Sequence, residues 1–158
     1  MESVGKEPVT AVETIEIYRD YEAVWAAERL ITISEETSII AEGESSLKAV
    51  WTDSSGAVYY NFPLGQDWSA SKYISFYVYG ANSNAEIALQ IRFMGHGGEN
   101  WVDYRWKDNF SGWKKLVFEL DNPSATSGQI VWTDVQQVLF RPLTIIDAIL
   151  YFDYLVRF

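Results

Sequence analysis

Two carboxyls held on either side of one bond are the minimum equipment of a glycoside hydrolase. The sequence offers Asp103 with Glu99, or Asp103 with an acid on a neighbouring strand. Asp103 belongs to the alternating segment NWVDYRW, and an open strand face gives little means of burying a general acid and raising its pKa. The single His, His96, sits in the turn Gly95-His96-Gly97-Gly98 with no obvious Ser, Cys or second His partner. Catalysis is therefore not expected. What does recur is a mixture of flat rings and hydrogen-bonding groups: Tyr77, Tyr79 and Trp101 with Gln90, Arg92, Asp103, Gln137 and Arg141. Apolar C–H faces of pyranose rings pack on flat aromatics, while Arg, Asp and Gln make directed hydrogen bonds to hydroxyls. Tyr is also simply a good strand residue on a solvated face. The interleaving, more than the abundance of 7 Trp, 10 Tyr and 8 Phe, points to a polysaccharide ligand.

Period-two segments must position these side chains. Candidate strands are 13–21, 29–34, 45–52, 57–62, 72–79, 86–93, 100–106, 113–120, 135–141 and 149–157. Turn signals divide them at Ser54-Ser55-Gly56, 80–84, 95–98, 109–112 and near Asn122-Pro123. The only helix-compatible stretch is 23–28 (AVWAAE), and residues 1–12 read as an ill-ordered lead-in or linker. One domain over 13–158 is expected. About ten short strands with regular turns imply an all-β, antiparallel two-sheet sandwich, a jelly roll.

Alternation then assigns faces. Ile74, Phe76 and Val78 share one side of their strand, and Tyr73, Ser75, Tyr77 and Tyr79 the other. Ile87, Leu89, Ile91 and Phe93 form a core set opposite Ala88, Gln90 and Arg92. Trp101, Asp103 and Arg105 share a face opposite Val102, Tyr104 and Trp106; Gln137, Leu139 and Arg141 point away from Val138 and Phe140. Trp51 alternates in phase with Leu47 and Ala49 and reads as core. Trp68 and Trp113 read as plugs at the ends of the sandwich.

Composition narrows the partners. The formal charge is −10, from 22 acidic and 12 basic residues, and only Lys114-Lys115 makes a short basic pair. Such a field repels phosphate backbones, so no nucleic acid is expected. No apolar run approaches the length of a membrane span. The absence of Cys excludes disulfides and thiolate metal sites. No signal peptide is visible, and the opening Met-Glu-Ser-Val-Gly-Lys-Glu-Pro reads as a linker within a larger chain.

QDWSASKYISFYVYG, ENWVDYRWKDNFSGWKKLVFEL and the ending ILYFDYLVRF, with IYRDYEAVW and EGESSLKAV, together resemble the jelly-roll carbohydrate-binding modules attached to polysaccharide-degrading enzymes. The resemblance covers about 15–158 and is closest to family 11, whose members bind β-glucans, with families 4, 22 and 30 similar in style. The stretch 120–133 (LDNPSATSGQIVWT) departs from it, lacking an Arg/Tyr-rich loop.

The resemblance implies a non-catalytic module that binds β-1,4- or mixed-linkage glucan through a concave aromatic and polar sheet face. It further implies a covalently linked glycoside hydrolase and secretion as part of that enzyme. A jelly-roll protein-interaction domain using the same aromatic face is the alternative. The resemblance also implies a structural Ca²⁺ tying the N-terminal strand to the C-terminal one. Its ligands would come from Asp20 and Glu22, Glu42 or Glu44, and Asp153, since a hard cation needs several oxygens.

Overall fold

Branched and aromatic residues alternating with polar ones form strands because a pleated backbone sends successive side chains to opposite faces. In the computed structural model, which describes residues 13–15, 25–93 and 99–158, that alternation builds two antiparallel sheets. The strands are β1 (Glu13–Ile15), β2 (Trp25–Ala27), β3 (Ile31–Glu36), β4 (Ser46–Ser54), β5 (Val58–Gln66) and β6 (Tyr73–Ala81). They continue with β7 (Glu86–Phe93), β8 (Trp101–Lys107), β9 (Ser111–Glu119), β10 (Ala125–Ser127), β11 (Val135–Pro142) and β12 (Ile146–Arg157). The first sheet runs β9-β6-β12-β4-β3, with β1 also on β12; the second runs β10-β8-β7-β11-β5-β2. The expected jelly-roll sandwich is the observed architecture.

Every expected strand beyond residue 24 is present, most with ends shifted by a few residues. Within the helix-compatible stretch 23–28, Trp25–Ala27 is the strand β2. Trp25 pairs with Tyr60 and Ala27 with Val58 along the edge of β5. The buried Trp25 ring lies edge-to-face on Tyr60 and is stacked on Phe140. Despite its alanines, a six-residue stretch is too short to repay helix nucleation and cannot compete with that pairing and burial. The short β10 was not foreseen; its three residues add to the edge of β8.

Between the sheets, Phe140 of β11 stacks on Phe152 of β12 with ring centroids 4.0 Å apart. Phe76 and Trp106 approach the Phe140 ring edge-on. Trp51 is buried and its Nε1 donates to the Gly56 carbonyl. Trp68 is also buried, bridging the layers. It meets Phe62 of the second sheet edge-on, and the Arg157 guanidinium of the first sheet lies 5.0 Å from its ring. Trp113 is no end plug. Its register opposite Tyr79 puts it on the outer side of the first sheet, half-buried and edge-to-face with that Tyr.

Pro63 falls where β5 and β11 lose register between Val135 and Gln137, a place that tolerates a residue without an N–H. Asp108, buried in the crossing between sheets, accepts from the Ala81 and Ser83 amides and the Ser83 hydroxyl. That fixes β8 against the turn after β6.

Candidate carbohydrate-binding face

Strand register assembles the site on the side of the second sheet that faces away from Phe140. One row across adjacent strands reads Ser127, Trp101, Arg92, Gln137, Asn61. The next reads Ala125, Asp103, Gln90, Leu139, Tyr59, Ala26. A third brings Arg105, Ala88 and Arg141 together. Six expected residues, Gln90, Arg92, Trp101, Asp103, Gln137 and Arg141, thus share one face. Trp101 and Tyr59 stand three strand spacings apart across the sheet, about 14 Å, and one row apart along it, with polar groups between them.

The floor of this face is closed to solvent. Ala88, Gln90, Asp103 and Leu139 are each no more than 2% exposed although they point away from the core. Longer, half-buried side chains of Trp101, Arg92, Arg105, Gln137, Arg141 and Tyr59 stand around them. Gln90 and Asp103 therefore do not offer their polar atoms to a ligand. Gln90 Nε2 donates to Asp103 Oδ1 at 2.9 Å, and Arg105 Nη2 donates to Asp103 Oδ2 at 3.2 Å. Arg92 Nε donates to Gln90 Oε1 at 2.7 Å. The result is a chain of four side chains, Arg105–Asp103–Gln90–Arg92, in which the inner pair orients the two guanidiniums. On the far side, Gln137 Nε2 donates to Asn61 Oδ1. Burial, and then the field of Arg141, weaken the hold of Arg92 on its proton, with Glu28 and Asp103 opposing.

Tyr77 and Tyr79 do not join this face. They lie on β6 of the first sheet, pointing outward on the opposite side of the sandwich. Tyr79 is edge-to-face with both Trp113 and Tyr151, and the Lys115 ammonium lies 5.8 Å from the Tyr77 ring. Parity correctly turned both rings away from the core, but parity cannot say which sheet a strand joins. Tyr59 and Asn61, which the sequence reading did not single out, take the place of these rings on the second sheet. Alternation with Val58 and Phe62 was the available signal. The adjacent Tyr60, which packs on Trp25, obscures it.

Of the acids expected at a cation, Asp20 and Glu22 lie outside the described residues, as does His96. Asp153 is fully buried, and its Oδ2 accepts from the Ala41 and Glu42 amides at 2.9 Å each. Its Oδ1 has no hydrogen-bond partner among the described residues. Burial is the main cause pushing the Asp153 carboxyl above the usual range, and the Glu42 charge adds to it. Glu42 and Glu44 are exposed, and no group of three or more His, Cys, Asp or Glu gathers among the described residues. An orphaned buried carboxylate oxygen fits a hard cation.

The sequence of residues 5–139 matches the model of the carbohydrate binding domain (family 11). The chain belongs to that family. Its members are non-catalytic carbohydrate-binding modules. No curated protein matches the sequence. Among solved structures, the module is similar to the family 11 carbohydrate-binding module from Clostridium thermocellum in complex with a β-1,3-1,4-mixed-linked tetrasaccharide. The TM-score is 0.71 at 14% identity, covering 95% of this chain and 96% of that one. It is also similar to the C-terminal family 22 module of Clostridium thermocellum Xyn10B, with a TM-score of 0.61 at 12% identity, covering 90% of each chain. An exo-β-agarase matches with a TM-score of 0.70 at 10% identity, over 89% of this chain and 24% of the enzyme. At such identities these likenesses are likenesses of fold.

Proposed function

We propose that the module binds a β-linked polysaccharide, a β-1,4- or mixed-linkage glucan, across the outer face of the second sheet. The observation that carries this reading is the pair Trp101 and Tyr59, flanking Arg92, Gln137 and Asn61 on four adjacent strands. Flat rings at two points along a chain with directed donors between them suit a run of pyranoses. The mixed-linkage tetrasaccharide named with the similar Clostridium thermocellum module supports the choice of polymer. Trp101, Arg92, Gln137, Arg141, Tyr59, Asn61 and Arg105 contact the chain in this reading, while Gln90 and Asp103 position the arginines.

The module does no chemistry in this reading. The one acid on the floor of the face, Asp103, is already committed to Gln90 and Arg105. Its role is to hold a linked glycoside hydrolase at the polymer, raising effective concentration, in a secreted enzyme. The exo-β-agarase, of which a similar fold forms a quarter, supports such a linkage. Affinity is modest, because few rings stack and each hydroxyl bond replaces one to water.

A structural Ca²⁺ belongs to the same reading. Asp153 Oδ1 would hold it, with Glu42 or Glu44 and the acids Asp20 and Glu22. The ion would supply the positive charge that this buried carboxylate lacks.

Affinity electrophoresis in lichenan, xyloglucan and mannan gels tests the assignment. Retardation by at least lichenan is expected, with no new reducing ends on incubation. Unretarded migration in all three gels refutes the glucan reading, and new reducing ends refute the non-catalytic one.

A further inference from the structure

The charge of the groove is at odds with that of the chain. In a protein of net charge −10, the outer face of the second sheet carries Arg92, Arg105 and Arg141 within three adjacent strands. Two carboxylates face them. Asp103 is buried and bonded to Gln90 and Arg105. Glu28 acts on Arg92 through its field, while its Oε1 accepts from the Ala57 amide at 2.8 Å.

Neither Arg92 nor Arg141 has an ion pair among the described residues, since the one pair on this face is Arg105–Asp103. Arg92 spends only its Nε on Gln90, leaving the outer edge of its guanidinium to face the groove. The residues between Arg92 and Arg141 on this face are the solvent-closed Ala88, Gln90 and Leu139. The two carboxylates whose fields reach Arg92 are engaged elsewhere, Asp103 with Gln90 and Arg105 and Glu28 with the Ala57 amide. Arg92 and Arg141 stand two rows apart on adjacent strands, within reach of each other's field, and an anion between two like charges relieves their repulsion. Arg92 and Arg141 can donate to the hydroxyls of a neutral glucan as Gln137 can, but the guanidiniums also bring charge to the groove. Planar guanidiniums match the paired oxygens of a carboxylate or sulfate.

We propose that this groove holds an anion subsite, in which Arg92 and Arg141 take a carboxylate or sulfate borne by the polysaccharide chain, so that its preferred ligand is an acidic β-linked glycan. The inference rests on the reading of this face as the sugar site and names the class of chain it selects. Trp101 and Tyr59 stack neutral ring faces on either side, and the acidic substituent lies between them.

The test compares three polymers of one backbone: lichenan, lichenan oxidised at C6 to the carboxylate, and sulfated lichenan. Binding is measured by calorimetry and affinity electrophoresis. At low ionic strength at least one acidic derivative should bind about tenfold or more tightly than the parent, equivalent to about 1.4 kcal/mol. That preference should fade towards about 0.5 M salt, where exposed charges are screened. Whichever derivative is preferred identifies the anion. Arg92→Gln and Arg141→Gln should each reduce the preference severalfold, with circular dichroism unchanged. The overall charge repels polyanions, so non-specific attraction cannot mimic the result.

Lichenan binding as well as or better than both acidic derivatives overturns the subsite while leaving the sugar reading in place. Failure of all three polymers to bind overturns the sugar reading and the subsite with it. A preference unaffected by salt in the wild-type protein also overturns the subsite, whether or not the variants fold.

Discussion

Gln90 and Asp103 face each other across the β7–β8 ladder, joined by a 2.9 Å hydrogen bond, and both are closed to solvent. Two polar residues that alternation assigns to a ligand-facing surface thus spend their hydrogen bonds on each other and on the arginines beside them. Asp103→Ala should therefore cost stability as well as binding. It leaves Gln90 Nε2 without its buried partner, a loss of about 1–3 kcal/mol, and it frees Arg105. Replacing both members, Gln90→Leu with Asp103→Leu, should recover part of the stability but not the binding. Urea denaturation beside lichenan electrophoresis reads both effects, and an Asp103→Ala protein as stable as wild type would contradict the positioning role.

Two tryptophans on opposite sides of the sandwich separate the candidate surfaces. Trp101→Ala removes a half-buried ring from the second sheet and should weaken glucan retardation about tenfold or more. Trp113→Ala removes a ring from the outer side of the first sheet and should leave retardation as it was. The melting temperature of Trp101→Ala should stay close to wild type, because Trp101 lies outside the core. Loss of binding with Trp113→Ala and not with Trp101→Ala would move the site to the first sheet.

Phe140 is the converse case. It is fully buried and stacks on Phe152 and Trp25, so Phe140→Ala should lower stability by about 3–5 kcal/mol. A variant that unfolds at nearly the wild-type urea concentration would show that the ring stack is not central to the core.

Chelation should lower the melting temperature while glucan binding at 25 °C survives, since Asp153 lies on the first sheet and the groove on the second. Differential scanning calorimetry with and without excess chelator decides this. An unchanged melting curve would remove Ca²⁺ from the account.

Tyr104 gives a pH signature. It is buried, its hydroxyl donates to the Leu120 carbonyl, and burial, with the Asp121 charge adding, holds its pKa well above the usual range. Its proton is held more tightly in the folded protein than in the unfolded chain. The stability it contributes is therefore complete below about pH 10 and falls as the pH rises beyond that point. The stability gap between wild type and Tyr104→Phe should narrow from pH 9 to pH 11 in urea titrations. A gap that stays constant would refute the assignment.

Alternation along the chain was enough to determine the longer strands beyond residue 28, the jelly-roll class and, for most of those strands, the side that faces the core, though it missed the short β2 and β10. Phe76, Phe140 and Trp51 are buried, and Gln137, Arg141 and Trp101 point outward, because a pleated strand leaves each residue only two directions. Family membership was legible for a similar reason: ordered segments such as QDWSASKYISFYVYG carry turn and core signals together.

Which strands become neighbours depends on contacts between residues far apart in sequence, and only the tertiary structure decided that. It moved Tyr77 and Tyr79 to the far side of the sandwich and brought Tyr59 and Asn61 beside Gln137. It also drew Trp25–Ala27 into an edge strand. Finally, it turned Gln90 and Asp103 from ligand contacts into the buried brace beneath Arg92 and Arg105, since a polar side chain closed off from water must find its partner within the protein.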